Sequence, residues 1–142
     1  MLKLEIIVKE TKITGDIRRA ARRAAKAAAS VEGKKGRLRV SLLFTDEDNI
    51  ERLNARYRGM DKPTDVLSFP SGESYFLGDI ALSLPRARRQ AEEFGHSVGR
   101  EVAFLTAHSM LHLFGYNHED AAGETAMREK QRQIMKKAGF EL

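Results

Sequence analysis

Apolar positions follow two different periods along the chain, and segments of the two kinds alternate. Four segments have the alternating or continuous apolar character of β-strands: "KLEIIV", "GRLRVSLLFT", "VLSFP" and "DIALS". Between and after them, apolar residues return every three or four positions, as they do in helices that bury one face. The resulting order is strand, helix, strand, helix, two strands and three helices. It predicts an α+β fold in which a small mixed β-sheet of about four strands packs with about five helices.

Capping residues predict where several of these helices begin and end. Asp16 is suited to cap the first helix, whose alanines fall on one side and whose arginines form a stripe on the other. Thr45 is predicted to begin the second helix, and Gly59 to end it. Ser97 can cap the helix "VGREVAFLTAHSMLHLF". A last helix is expected over about residues 120–138.

Length and composition favour an ordinary globular protein. The chain has 142 residues, of which 42% are hydrophobic and 32% charged, so we expect a single domain over residues 1–142. No apolar run could span a bilayer, and the opening "MLKLEIIVKE" carries charges where a signal peptide would be apolar. We therefore expect a cytoplasmic protein without a membrane partner. Because cysteine is absent, His, Asp and Glu are the expected metal ligands.

Positive charge is concentrated in one part of the chain. The net charge is +5, and residues 17–39 contain nine Lys or Arg against one acid, Glu32. A field of this sign favours a polyanion such as nucleic acid or anionic lipid. A solvated basic helix face explains the same run equally well.

Three of the four histidines lie in the segment "TAHSMLHLFGYNH". His108 and His112 are four residues apart on a predicted helix, which places both imidazoles on one face. Gly115 permits a sharp turn after the helix, so that His118 can return to the same ion. A pair of histidines alone is more often structural. Three at this spacing predict a site for one Zn²⁺ ion with its fourth position open to water.

The same spacing occurs in metzincin peptidases, with one chemical difference. In those enzymes a glutamate follows the first histidine and acts as general base. Here that position is Ser109, which cannot take a proton from water. A peptidase would therefore lack its main catalytic group, whereas zinc can still lower the pKa of its own water to about 7.

Taken together, these segments resemble the YbeY family of bacterial rRNA maturation endoribonucleases. The resemblance covers most of the chain and is carried by "LNARYRGMDKPTDVLSFP", "LGDIALS", "AHSMLHLFGYNHED" and "AMREKQRQIM". It implies a zincin-like fold and a zinc-dependent, single-strand-specific endoribonuclease. The implied role is maturation of the 3′ end of 16S rRNA and ribosome quality control, with the small subunit and assembly factors as partners. The resemblance makes His108, His112 and His118 the zinc ligands, and places His112 and Arg58 at the catalytic centre.

Two positions depart from the family pattern. Ser109 stands where the family usually has glycine, and Asn117 stands where it usually has aspartate. Serine adds little bulk, so we expect the site to persist. Asn117 removes a charge beside His118, which would lower the rate or the metal affinity if the aspartate orients a ligand or moves protons.

Further residues are candidates for contact with RNA. The planar guanidinium of Arg58 matches phosphate oxygens, although a helix-end arginine on the carbonyl dipole is the commoner role of such a residue. Lys62 could contact a backbone phosphate or simply be solvated. Tyr75 and Phe76 could stack on an unpaired base or lie at the edge of the core.

Two other functions remain open from the sequence alone. A metallopeptidase of related fold fits the histidine spacing but is opposed by Ser109 and by the basic charge. A non-catalytic RNA-binding ribosome assembly factor with a structural metal is opposed by the open ligand position, while Asn117 keeps it possible.

Overall fold

The computed structural model describes residues 1–60, 62, 64–117 and 119–140. In chain order the elements are β1 (Leu2–Val8), α1 (Gly15–Val31), β2 (Leu38–Thr45), α2 (Glu47–Arg58), β3 (Val66–Pro70), β4 (Phe76–Ser83), α3 (Leu84–Phe94), α4 (Val98–Leu113) and α5 (Ala121–Ala138). This is the predicted succession of elements. No helix within the described ranges has both the length and the apolar character that crossing a bilayer requires.

The four strands form one mixed sheet in the order β1-β2-β4-β3. β1, β2 and β4 are parallel, and β3 pairs antiparallel with β4 at the edge. The predicted α+β class and mixed sheet are therefore confirmed. Helices α1 and α4 pack on one face of the sheet, and α5 packs on both of them. On the other face, Ile50 of α2 packs on Leu67 and Ala81.

Helix α1 buries its small residues and exposes its charges. The predicted alanine side is buried, and it also includes Ala25, Ala27 and Ala29, so α1 can lie close to α4. The predicted cap was wrong. Thr14 occupies the capping position, where its hydroxyl accepts a hydrogen bond from the Ile17 amide. Asp16 lies in the first turn of the helix, because the helix begins at Gly15.

Helix α2 begins one position later than expected and ends as predicted. Asp46 is its cap and accepts a hydrogen bond from the Asn49 amide at 2.9 Å. Thr45, predicted to begin the helix, is the last residue of β2. Gly59 ends α2 in the left-handed conformation with φ 67°, so Arg58 is the last helical residue.

Strand β4 begins at Phe76, earlier than the predicted start at Asp79. The strand includes Gly78, which has φ 147° and lies where β3 and the end of α4 come together. A Cβ atom at Gly78 would be 2.3 Å from the carbonyl oxygen of Phe69 and 2.9 Å from Cδ2 of Leu113. Only glycine fits here without displacing one of these neighbours.

Gly78→Ala is therefore expected to lower the free energy of unfolding by about 1–3 kcal/mol, because it combines a strained φ with a clash against backbone. Gly99→Ala in α4 is the matched control. Its Cβ would be 3.7 Å from Cβ of Ala20, an ordinary contact, so we expect a gain of up to about 1 kcal/mol. Urea denaturation of both variants measures the difference. Equal stability of Gly78→Ala and the wild type would contradict the tight junction.

Candidate active site

His108 and His112 lie one turn apart on α4 with their rings facing each other. Their Nε2 atoms are 3.1 Å apart, and the ring planes are 77° apart. Two imidazole nitrogens bound to a tetrahedral zinc ion at about 2.0–2.1 Å lie about 3.3 Å from one another. The geometry of this pair therefore fits two ligands of one metal ion.

The second nitrogen of His112 is fixed by the turn that follows α4. Nδ1 lies 3.0 Å from the carbonyl oxygen of Tyr116. A carbonyl only accepts, so Nδ1 carries the proton and donates it, which leaves the lone pair of Nε2 for a metal. The peptide group of Tyr116 thus selects the ring tautomer that a metal site needs.

The side chain of Tyr116 ties this turn to another part of the chain. Its hydroxyl donates a hydrogen bond to Glu32, which directly follows α1. Nζ of Lys130 on α5 lies 3.8 Å from the same carboxylate. The hydrogen bond to Glu32 raises the pKa of Tyr116 to about 12, so the phenol remains a donor at neutral pH. Helices α1 and α5 therefore both support the turn beside His112.

The predicted third ligand, His118, lies outside the described residues. Gly115 makes the predicted turn with φ 101°. Asn117 is exposed, and its Oδ1 accepts a hydrogen bond from the Glu119 amide at 3.2 Å. Within the described ranges, no cluster of three or more His, Asp or Glu side chains could hold a metal. The described part of the site consists of His108 and His112.

A cavity of about 370 Å³ lies over the two histidines. Its other walls come from the end of α2, from the segment before β3 and from β3 itself. The lining residues are Arg58, Thr64, Asp65, Val66, Ser68, Pro70, His108 and His112. The structure thus brings Arg58 and both histidines to one cavity, although they are far apart in the sequence.

Arg58 is held by β3 rather than by its own helix end. Its Nη2 donates to the carbonyl oxygen of Ser68 at 2.8 Å, and its guanidinium carbon lies 5.8 Å from the centre of the Phe69 ring. The guanidinium group has five N–H donors, and this bond uses one of them. The arrangement positions a planar cation at the wall of the cavity.

Asp65, in the segment before β3, also lines the cavity, although its place next to a turn gives no sequence signal of a site. Its Oδ1 accepts a hydrogen bond from the Val66 amide at 2.8 Å, as expected for a cap of the turn. Its Oδ2 lies 3.4 Å from Nε2 of Gln90 on α3. Among the described residues that line this cavity, Asp65 contributes the one carboxylate. Asp79 is exposed on β4 and is not among the residues that line the cavity.

Lys62 and Tyr75 are not part of the cavity lining. Lys62 is exposed, and its carbonyl oxygen accepts from Nδ2 of Asn54 at 2.9 Å. Tyr75 is 76% exposed in the β3–β4 connection, next to Phe76, over whose ring Arg39 lies. Both candidates therefore stay predictions of more distant RNA contacts.

Ser109 and His96 have roles inside the fold. Ser109 is fully buried and does not line the cavity, so the position after His108 points into the core. His96 lies in the loop between α3 and α4, as expected. Its ring nitrogens are 2.7 Å from Oε1 of Glu101 and 2.9 Å from Nη1 of Arg100.

Comparison with known proteins identifies the family. The family model described as Endoribonuclease YbeY matches residues 4–139. Endoribonuclease YbeY of Caldanaerobacter subterraneus is 45% identical over 83% of this chain and 85% of that protein. Endoribonuclease YbeY of Moorella thermoacetica is 46% identical over 83% and 84%. The solution structure of TM1509 from Thermotoga maritima is similar with a TM-score of 0.68 and 29% identity, over 96% of this chain and 89% of that one. The chain therefore belongs to the YbeY family of endoribonucleases.

Proposed function

We propose that this endoribonuclease cleaves single-stranded RNA of the small ribosomal subunit at the 3′ end of 16S rRNA, in the cytoplasm. One zinc ion held by His108, His112 and His118 would serve the reaction. The observation that carries the proposal is the shared cavity, which is lined by Arg58 and by His108 and His112, whose Nε2 atoms are 3.1 Å apart. Hydrolysis of a phosphodiester needs positive charge near its oxygens; Arg58 supplies one such charge, and a zinc ion held by the histidines would supply a second.

Each described residue has a definable part in this chemistry. When bound, zinc supplies Lewis acidity toward a phosphoryl oxygen and a water that ionises near pH 7. His112 is oriented for its ligand role by the carbonyl of Tyr116. Arg58 would donate to the non-bridging oxygens as negative charge develops on them.

Asp65 is the residue that we propose as proton acceptor. It is a carboxylate that lines the cavity, and the bond from the Val66 amide to Oδ1 fixes its direction. Because Ser109 is buried away from the cavity, it is not available for this role. A peptidase mechanism would need a base next to the metal at the position of Ser109, so the site favours phosphate chemistry.

The wild-type protein tests this function directly. Under strict nuclease control, we expect about one zinc per chain by atomic absorption. We expect cleavage of a single-stranded RNA with the 16S 3′ end, and none of a duplex RNA or a peptide. Removal of metal with a chelator should abolish cleavage, and zinc should restore it. Cleavage that persists without metal would contradict the zinc mechanism. Peptide cleavage would favour the peptidase, and RNA binding without cleavage would favour an assembly factor.

A further inference from the structure

A surface groove lies between α4 and α5 and leads away from the candidate active site. The part farther from the active site is a cavity of about 570 Å³, and the part nearer to it, which His108 lines, is a cavity of about 250 Å³. Phe104, Arg128 and Gln131 line both parts, so the two are continuous. We call this surface the α4–α5 groove.

His108 connects the groove to the active-site cavity. It lines both the near part of the groove and the cavity that contains Arg58. An RNA strand whose phosphate lies between Arg58 and the histidines continues in both directions, because the substrate is a polymer. On the side of His108, the next depression in the surface is the α4–α5 groove.

Phe104 offers an apolar ring at the point where the groove begins. It lies one turn before His108, about 6 Å along the helix, and its side of α4 faces the groove. It is 41% exposed, although α4 is otherwise largely buried. Nε2 of Gln131 donates to the carbonyl oxygen of Phe104 at 3.1 Å, which holds α5 against α4 at this position. An exposed aromatic ring on a rigid helix is a platform on which an unpaired base can stack.

The charge of the far part suits a polyanion. Four cationic side chains line it against one acid, Glu129, and they are Arg100, Arg128, Arg132 and Lys136. Arg128 pairs with Glu124 at 2.8 Å and Arg132 with Glu129 at 2.6 Å. Both pairs are exposed, and the Arg128–Glu124 pair rests on a single contact, so a phosphate group can compete for Arg128. The Arg132–Glu129 pair is bidentate and keeps Arg132 at the groove. Lys136 lies on the same face of α5, one turn after Arg132.

We propose that the α4–α5 groove is a subsite for single-stranded RNA on one side of the scissile phosphate. Phe104 stacks on a base that follows the reaction centre, and Arg128, Arg132 and Lys136 contact the phosphates beyond it. This subsite rests on the proposed nuclease function, since it extends the same strand from the same cavity.

Steady-state cleavage by the zinc-loaded protein tests the subsite. Phe104→Leu keeps an apolar side chain but removes the ring, and it should raise KM for a 12-nucleotide RNA about fivefold or more with kcat unchanged. A dinucleotide, which is too short to enter the groove, should show no change. Phe104→Trp should restore the KM of the wild type. Phe94→Leu is the matched control, because Phe94 is 66% exposed on α3 and does not line the groove.

A charge reversal on α5 gives an independent measurement. Lys136→Glu should raise the KM for the long RNA and make this KM less dependent on salt concentration. Lys137→Glu should have neither effect. Both lysines are exposed, and only Lys136 lines the groove. Thermal denaturation of each variant confirms that the fold is intact.

The outcomes separate the subsite from the function. Unchanged KM of Phe104→Leu and Lys136→Glu, with an active wild type, would overturn the subsite; a groove that binds a protein partner would give this result. If the wild type cleaves no RNA, the proposed function fails. In that case, the RNA affinities of the wild type and of Phe104→Leu are compared by fluorescence anisotropy. The proposed subsite is overturned if the variant binds RNA as tightly as the wild type does.

Discussion

His112→Ala is expected to remove zinc from the protein and to lower the rate of RNA cleavage by more than about 100-fold. Loss of a residue that only orients a metal ligand costs about 10–100-fold in metal affinity or activity, so loss of a ligand should cost more. Nε2 of His112 is 3.1 Å from Nε2 of His108, and its Nδ1 is held by the carbonyl of Tyr116. Alanine removes one of the three proposed ligands, and the two that remain should hold the ion too weakly to retain it. Zinc content and kcat/KM on single-stranded RNA measure the effect.

His96→Ala is the matched control for this variant. His96 lies outside the cavity, and Nε2 of its ring is 2.7 Å from Oε1 of Glu101, which is only 4% exposed. Its removal leaves a buried carboxylate without this partner, at a cost on the order of 3 kcal/mol of stability. We therefore expect His96→Ala to unfold at a lower temperature but to keep its zinc and its activity below that temperature. If His112→Ala retained full zinc and full activity, the metal site would have to lie elsewhere.

The sequence was sufficient for those features that depend on local patterns. The order of strands and helices follows from apolar periodicity, and the pairing of His108 with His112 follows from the pitch of a helix. The left-handed ends at Gly59 and Gly139 follow from the freedom of glycine. In each case, residues close in sequence determine the geometry.

Features that depend on packing could not be predicted in this way. The hydroxyl of Tyr116 meets Glu32 across 84 positions of the chain. Asp65 carries the sequence signal of a turn, and only the approach of β3 to α4 makes it a cavity residue. Phe104 has the spacing of a core residue, but α5 leaves its ring partly exposed at the groove. The α1 cap shows the same limit locally, since Thr14 and Asp16 are both good caps and only one begins the helix.

The surroundings of Ser109 and Asn117 show what the two expected departures from the family pattern change in the structure. Ser109, which the resemblance places where the family usually has glycine, is enclosed in the core, so the serine affects packing and not the lining of the cavity. The side chain of Asn117 accepts a hydrogen bond from the Glu119 amide, which an aspartate at this position could also accept. Asn117 can therefore accept this hydrogen bond in the turn before α5 without the negative charge that an aspartate would carry.

Arg58→Ala is expected to lower kcat by about 10²–10³-fold while zinc content stays at the wild-type level. This is the usual effect of removing one group that stabilises charge developing in a transition state. Arg58 lines the same cavity as the histidines, and its guanidinium is held by the carbonyl of Ser68 at 2.8 Å. Arg58→Lys keeps the charge but loses the planar pair of donors, so we expect an intermediate loss.

Arg56→Ala is the matched control, because Arg56 is an exposed arginine in the same turn of α2, lies over the ring of Tyr57 and does not line the cavity. It should leave kcat unchanged. The competing role for Arg58 is structural, since its bond to Ser68 also anchors β3 to the end of α2. If that were its only role, Arg58→Ala would lower the unfolding temperature and leave kcat intact in the cold, and Arg58→Lys would behave like the wild type. A loss of kcat at full zinc content and low temperature, with Arg56→Ala active, assigns Arg58 to the reaction itself.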